Sequence, residues 1–251
     1  MSSVSYSQYR KAYLIVGASS GIGKVIASHL VSQDCLVVLL SRRIDKLREL
    51  SSSWGDNVLA FECDVTKTED ISKVFNCFES HEIKFSGMIY SAGVLDVKPA
   101  KNMPDGEIEN IFAVNTFGFY NMCRMFQNRK YSYDGASIVA ISSYASISKE
   151  RGLSAYASSK AALNTLVEVL AKEFVKRSFR VNAILPGKTM SRMGSDIDEW
   201  SQEELEERAK GQSLGIIPLK EVVELVEYLL SEKSAHITGA LLPISSGYCS
   251  D

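Results

Sequence analysis

The 251-residue chain has no paired cysteines, no clustered histidines, no surplus of charge of either sign and no long apolar run. Cys35, Cys63, Cys77, Cys123 and Cys249 are odd in number, widely scattered and without a Cys-x-x-Cys spacing, so neither a disulfide framework nor a zinc site is indicated. His29, His81 and His236 stand far apart; ordinary buried or solvated histidines account for them, and no metal is expected. The 28 basic and 30 acidic residues leave a formal net charge of -2, which offers no broad basic surface to nucleic acid or anionic lipid. The start, "MSSVSYSQYRK", carries no apolar core of signal-peptide type, and "CLVVLL" is far too short to span a bilayer. A cytoplasmic, reduced protein with a small-molecule substrate is the expectation.

What is present is an alternation. Apolar, β-branched runs at 12–16, 36–40, 58–61, 87–91, 137–141, 181–185 and 240–244 read as strands, and their near-continuous apolar content suits burial on both faces. Helical periodicity fills 22–33, 45–52, 69–80, 107–128, 156–176 and 220–230. Strand–helix alternation of this kind predicts an α/β fold: a doubly wound, parallel, seven-stranded sheet of Rossmann type with helices on both faces. No linker, low-complexity tract or repeat divides the chain, so 1–251 is read as one domain. One stretch breaks the rhythm. "SRMGSDIDEWSQEELEERAKGQSLG", 191–215, is polar, acidic and long for a connection; it reads as a solvated helix or as a lid over a substrate. Met193, Ile197, Trp200 and Leu205 would give such a lid an apolar underside, or serve as ordinary core contacts.

The first strand runs straight into "GASSGIGK". Gly17 permits a sharp turn, while Gly21 and Gly23 let a pyrophosphate and the following helix come close. The free N–H groups of the helix start then face the anion. The spacing Gly-x-x-x-Gly-x-Gly resembles the short-chain dehydrogenase/reductase family, and the resemblance runs from about Tyr13 to Tyr248. It implies that Ser19, Ser20 and Ile22 contact the cofactor with the three glycines. Val16 stands where the family usually carries Thr, so a side-chain bond that helps order the turn is missing.

The second strand ends "VVLLSRR". An acid there would bind the adenosine ribose and repel a 2′-phosphate. Ser41 takes that place, and Arg42 and Arg43 follow, with guanidinium groups suited to phosphate oxygens. NADP is therefore the expected cofactor. Arg42 is the stronger candidate; Arg43 contributes or faces solvent. The resemblance further assigns Asp64 and Val65 to adenine contact. Ala92 and Gly93 let backbone approach the cofactor, although Tyr90 and Ser91 replace the family's usual asparagines.

Reduction of a carbonyl leaves charge on oxygen, so a proton donor is required. In "AYASSKAAL", Tyr156 and Lys160 are four apart on one helical face, and the ammonium, with an oxidised nicotinamide, favours the phenolate. Tyr-x-x-x-Lys alone is a common amphipathic pattern; its context decides. Ser143 lies thirteen residues earlier, at the spacing of the family's substrate-orienting serine, with Ser142 beside it as a structural neighbour or a swap. By the same resemblance Asn115, in "FAVNTFG", interrupts a helix and holds a water in a proton relay, completing the tetrad Asn115, Ser143, Tyr156, Lys160. Pro186 and Gly187 resemble the family's loop along the nicotinamide, where Thr189 and Ser191 replace the usual Ile or Val and Thr. Ser245, Ser246 and Gly247 stand for the usual Asp-Gly-Gly.

The resemblance thus implies an NADPH-dependent reductase of a ketone or aldehyde, with a 3-oxoacyl substrate by analogy, assembled as a homodimer or homotetramer through 107–128 and 156–176. Two alternatives stay open: an NAD-dependent alcohol dehydrogenase of the same family, and a dinucleotide-binding regulator without catalysis.

Overall fold

The first apolar run, Ala12–Val16, is buried at all five positions and forms β1 of a computed structural model that describes residues 9–191 and 201–248. Cys249, Met193, Ile197 and Trp200 lie outside the described residues. Six further strands follow: β2 Leu36–Ser41, β3 Val58–Glu62, β4 Phe85–Tyr90, β5 Ser132–Ile141, β6 Arg180–Pro186 and β7 Leu241–Ile244. All pair in parallel in the order β3-β2-β1-β4-β5-β6-β7. Order reverses between β1 and β4, which opens a crevice at their carboxyl ends.

Each central strand feeds two cores. In β1, Ala12, Leu14 and Val16 face one layer while Tyr13 and Ile15 face the other. The first layer is covered by α3 Thr68–Ser80, α5 Gly118–Phe126 and α7 Ser154–Glu173, through side chains such as Phe75, Phe119 and Leu163. The second is covered by α1 Gly21–Val31, α2 Ile44–Trp54 and α9 Leu219–Leu230, through Ile26, Leu47 and Val226. Both faces of β1 exclude water, and that strand carries only apolar residues and one tyrosine for that reason.

The structure refines the sequence reading in three places. The helix expected over 107–128 is interrupted at Asn115, as the resemblance implied, and forms three pieces: α4 Glu107–Phe112, a π-helical turn Ala113–Phe117, and α5. The break arises where the Tyr90 hydroxyl donates to the Val114 carbonyl (2.5 Å) and the Thr116 hydroxyl donates to the Ser159 carbonyl (2.9 Å). β5 begins at Ser132, five residues early, because its first stretch needs only Phe85 as a partner and exposes Tyr133. The short helix α6 Ala145–Ser148 has no counterpart in the sequence reading, whereas α8 Gln202–Ala209 falls within 191–215, where a solvated helix or a lid was expected. α8 is closed at its N-terminus by a capping box between Ser201 and Glu204, and Leu205 is half-buried on it. Among the described residues no helix is long and apolar enough to cross a membrane.

Candidate active site

A cavity of about 830 Å³ lies over the carboxyl ends of the strands. At one end it is lined by Gly17, Ser19, Ser20, Gly21 and Ile22, by Ser41, Arg42 and Arg43, and by Asp64 and Val65. Gly17 leaves β1 with φ +87°, and a Cβ there would come within 2.5 Å of the Ala92 backbone nitrogen. Gly23 is needed for a different reason: its Cβ would sit 2.3 Å from the Gly17 carbonyl oxygen, so only glycine lets α1 start so close to the loop. The threonine bond that Val16 lacks is replaced by backbone, since Gly17 and Ala18 both donate their N–H groups to the Leu40 carbonyl (2.9 and 3.2 Å).

Arg43 crosses this loop. Its guanidinium donates to the Ser19 hydroxyl (2.8 and 3.1 Å) and to the Ser20 hydroxyl (2.6 Å), while the Ser41 hydroxyl reaches Ser19 at 2.9 Å. Ser20, the N-cap of α1, makes no side-chain bond to the helix, so its first N–H groups keep no side-chain acceptor from that residue. Arg42 is more exposed, and its charge acts on Asp64. Partial burial works to raise the Asp64 carboxyl. Two bonds from Thr66 outweigh it and, with Arg42 and Lys67, hold the carboxyl below its ordinary value. The sequence reading favoured Arg42; the structure brings Arg43, not Arg42, into contact with the glycine loop.

At the other end, β5 and α7 bring Ser143, Tyr156 and Lys160 together. Tyr156 is buried and lines the cavity with Ser143; burial raises its pKa and the nearby Ser143 side chain works to lower it, with burial prevailing. Lys160 is buried too. Its Nζ donates to the Ile141 carbonyl (2.9 Å), lies 5.9 Å from the centre of the Tyr156 ring, and burial brings its pKa down to about 8. The ammonium, with an oxidised nicotinamide, was expected to favour the tyrosine's phenolate. In the protein alone desolvation dominates both groups and pushes each toward its uncharged form.

Asn115 is wholly committed. Its Oδ1 accepts from the Val94 N–H (2.8 Å), and its Nδ2 donates to the Val94 carbonyl and the Ser159 hydroxyl (both 3.0 Å). It therefore ties the segment after β4 to α7. Gly93 fits between the functional groups, with a Cβ that would lie 3.3 Å from Asn115 Oδ1 and 3.5 Å from Lys160 Nζ. Ser142 is turned away: its hydroxyl donates to Asn164 Oδ1 at 2.6 Å in a buried network.

Pro186, Gly187, Thr189 and Ser191 line the cavity after β6. Thr189 is buried and forms an isolated parallel bridge with Ile217. Val94, Leu95, Val97 and Leu153 give the same cavity an apolar lining, and Tyr144 packs edge-on against Tyr248 (5.7 Å). Gln212, which the sequence gave no reason to select, is 5% exposed and bonds the loop after β6. No motif marks it, because its partners are main-chain atoms 24 residues away.

A sheet order that reverses above a glycine-lined crevice defines the dinucleotide-binding class of doubly wound folds. Within that class, the family model described as enoyl-(acyl carrier protein) reductase matches residues 17–249. The chain is 28% identical to an NADPH-dependent aldehyde reductase-like protein, chloroplastic, of Arabidopsis thaliana, over 94% of this chain and 93% of the relative. It is 29% identical to an NAD-dependent glycerol dehydrogenase of Listeria innocua, over 95% and 93%. A solved dehydrogenase/reductase of Sinorhizobium meliloti superposes with a TM-score of 0.85 at 25% identity, covering 95% of each chain. The chain belongs to the short-chain dehydrogenase/reductase family, oxidoreductases of carbonyl and alcohol groups that bind a nicotinamide dinucleotide.

Proposed function

We propose that this chain is an NADPH-dependent reductase of ketones or aldehydes. The observation that carries the reading is that Ser143 and the buried Tyr156 and Lys160 line the same cavity as the glycine loop. The site fits a dinucleotide: a Cβ-free cradle at Gly17 and Gly21, a helix start behind it, and a volume within the usual range for cofactor pockets. Gly17, Ser19, Ser20, Gly21, Ile22 and Gly23 hold the pyrophosphate. Arg43 and Arg42 take the 2′-phosphate, with Ser41 neutral where an acid would repel it. Asp64 and Val65 border the adenine, Ala92 and Gly93 admit the ribose, and Pro186, Gly187, Thr189 and Ser191 border the nicotinamide.

The bound cofactor supplies hydride to the carbonyl carbon. Tyr156 donates its proton to the carbonyl oxygen, and the Ser143 hydroxyl donates a hydrogen bond to the same atom. The raised tyrosine pKa suits an acid that must arrive protonated. Lys160, neutral or charged near pH 8, returns a proton to the phenolate, and Asn115 fixes the backbone beside it. The wall of Val94, Leu95, Val97 and Leu153 favours an apolar ketone of the 3-oxoacyl type, in keeping with the acyl carrier description of the family model. Ile108, Phe117, Tyr120 and Val169 are exposed on α4, the π turn, α5 and α7, and support assembly as a homodimer or homotetramer through those helices.

The test is a titration with NADPH and NADH, then turnover of a carbonyl panel with the tighter cofactor. Tighter NADPH binding, abolished preferentially by Arg43→Asp and less by Arg42→Asp, is the expected result. Tighter NADH binding that neither variant changes would support the NAD-linked alcohol dehydrogenase instead.

A further inference from the structure

The loop after β6 is held by an unusual pairing. Gln212 Oε1 accepts the Lys188 N–H (2.5 Å), and Gln212 Nε2 donates to the Lys188 carbonyl (3.1 Å) and to the Gly215 carbonyl (2.9 Å). One carboxamide thus supplies an acceptor and a donor to one residue's main chain, as a neighbouring strand would. Beside it, Ile217 donates its N–H to the Lys188 carbonyl and Met190 donates to the Ile217 carbonyl, both at 3.0 Å. Gly187 is part of the same fit, because a Cβ there would come within 2.5 Å of Gln212 Oε1. Gln212 follows α8 directly, with its own N–H on the Ala209 carbonyl (2.8 Å), and two residues on Leu214 donates to the Ser246 carbonyl (3.0 Å). The loop after β6 and the segment after α8 therefore meet at one buried side chain, and the C-terminal turn is tied to the same segment through Leu214.

We propose that Gln212 is a positioning residue that fixes loop 187–190 in the form that accepts the nicotinamide half of the cofactor. The proposal rests on the dinucleotide reading above. Its physical basis is that the carboxamide is buried, so loop movement breaks bonds that water does not replace. On that reading the adenosine half lies against Ser41, Arg42 and Arg43, and Gln212 makes none of its hydrogen bonds with them. The two halves must then respond differently to its removal.

The experiment measures dissociation constants for each oxidised dinucleotide and its adenosine half, NADP with 2′,5′-ADP and NAD with ADP, by calorimetry on the full chain. Gln212→Ala weakens the preferred dinucleotide about tenfold, as expected for losing two or three modest hydrogen bonds, and leaves the adenosine half within about twofold. Gln212→Glu adds a readout that general damage does not produce. Protonated, the acid offers Lys188 one acceptor and one donor again; ionised, it faces the Lys188 and Gly215 carbonyls with negative charge. Dinucleotide affinity, normalised to the adenosine half, is near wild type at about pH 5 and falls by about pH 8 in this variant only. Equal affinity in wild type and Gln212→Ala, equal weakening of both ligands, or a Gln212→Glu profile that parallels wild type would each overturn the proposal. A wild-type chain that binds neither dinucleotide overturns the cofactor reading itself.

Discussion

At the glycine-loop end of the cavity the charged groups, Arg42, Arg43 and Asp64, keep contact with water, and only Ser19 among their polar partners is buried. Around Tyr156 the residues Asn115, Ser142, Ser159, Lys160, Asn164, Thr189 and Gln212 are all buried. The first end is a wet clamp made of backbone and hydroxyls. The second is a dry network in which every polar atom needs a protein partner, and in which desolvation alone shifts Lys160 to about 8 and raises Tyr156. Changes at the wet end should alter affinity and little else. Changes at the dry end should reach chemistry and stability together.

The largest effect tests that division directly. Tyr156→Phe removes one hydroxyl from the dry end, and turnover should fall at least about a hundredfold while dinucleotide affinity stays within about twofold. Turnover near wild type in a steady-state assay would place the acid elsewhere. The next test uses stability. Because the folded state depresses the Lys160 pKa from 10.5 to about 8, the unfolded chain binds more protons between those values, and stability rises with pH across that window. Below about pH 8 the full cost of burying the charge is present, about 3 kcal/mol as an upper figure. Lys160→Met should remove most of that cost at neutral pH and flatten the rise between pH 8 and 10.5 in denaturant unfolding of the cofactor-free protein. A variant as pH-dependent as wild type would locate the titration in another group.

How much of each end was legible follows the same line. The seven strands and the glycine loop come from local patterns: apolar runs of strand length, and glycines directly after the first of them. Ser143, Tyr156 and Lys160 were found because one β5–α7 unit carries them at fixed spacing. The priority of Arg43 over Arg42 at the glycine loop was not readable, since two adjacent arginines differ only in which way the chain turns after β2. Gln212 was invisible, and the break at Asn115 was implied by the family resemblance alone, for a stronger reason. Both depend on side chains meeting main-chain carbonyls of distant segments, and a carbonyl has no letter in the sequence.

Tyr90 sharpens the comparison at its boundary, because there the dry network reaches into the core. Its side chain is fully buried, packs edge-on against Phe119 at 5.4 Å, and carries its hydroxyl to the Val114 carbonyl in the π turn that also holds Asn115. Gly118 makes room for it: a Cβ there would lie 2.4 Å from the Tyr90 hydroxyl oxygen and 2.9 Å from Val65 Cγ2. Tyr90→Phe should cost about 1–2 kcal/mol by leaving the Val114 carbonyl unpaired. Gly118→Ala alone should cost about 1–3 kcal/mol by overpacking. Combined, they should cost less than their sum by about 1 kcal/mol, because removing the hydroxyl relieves its clash with the new methyl while the Val65 contact persists. Strict additivity in unfolding free energy would mean that the π turn is set by the Asn115 and Thr116 bonds alone, and that Tyr90 merely fills space beneath it.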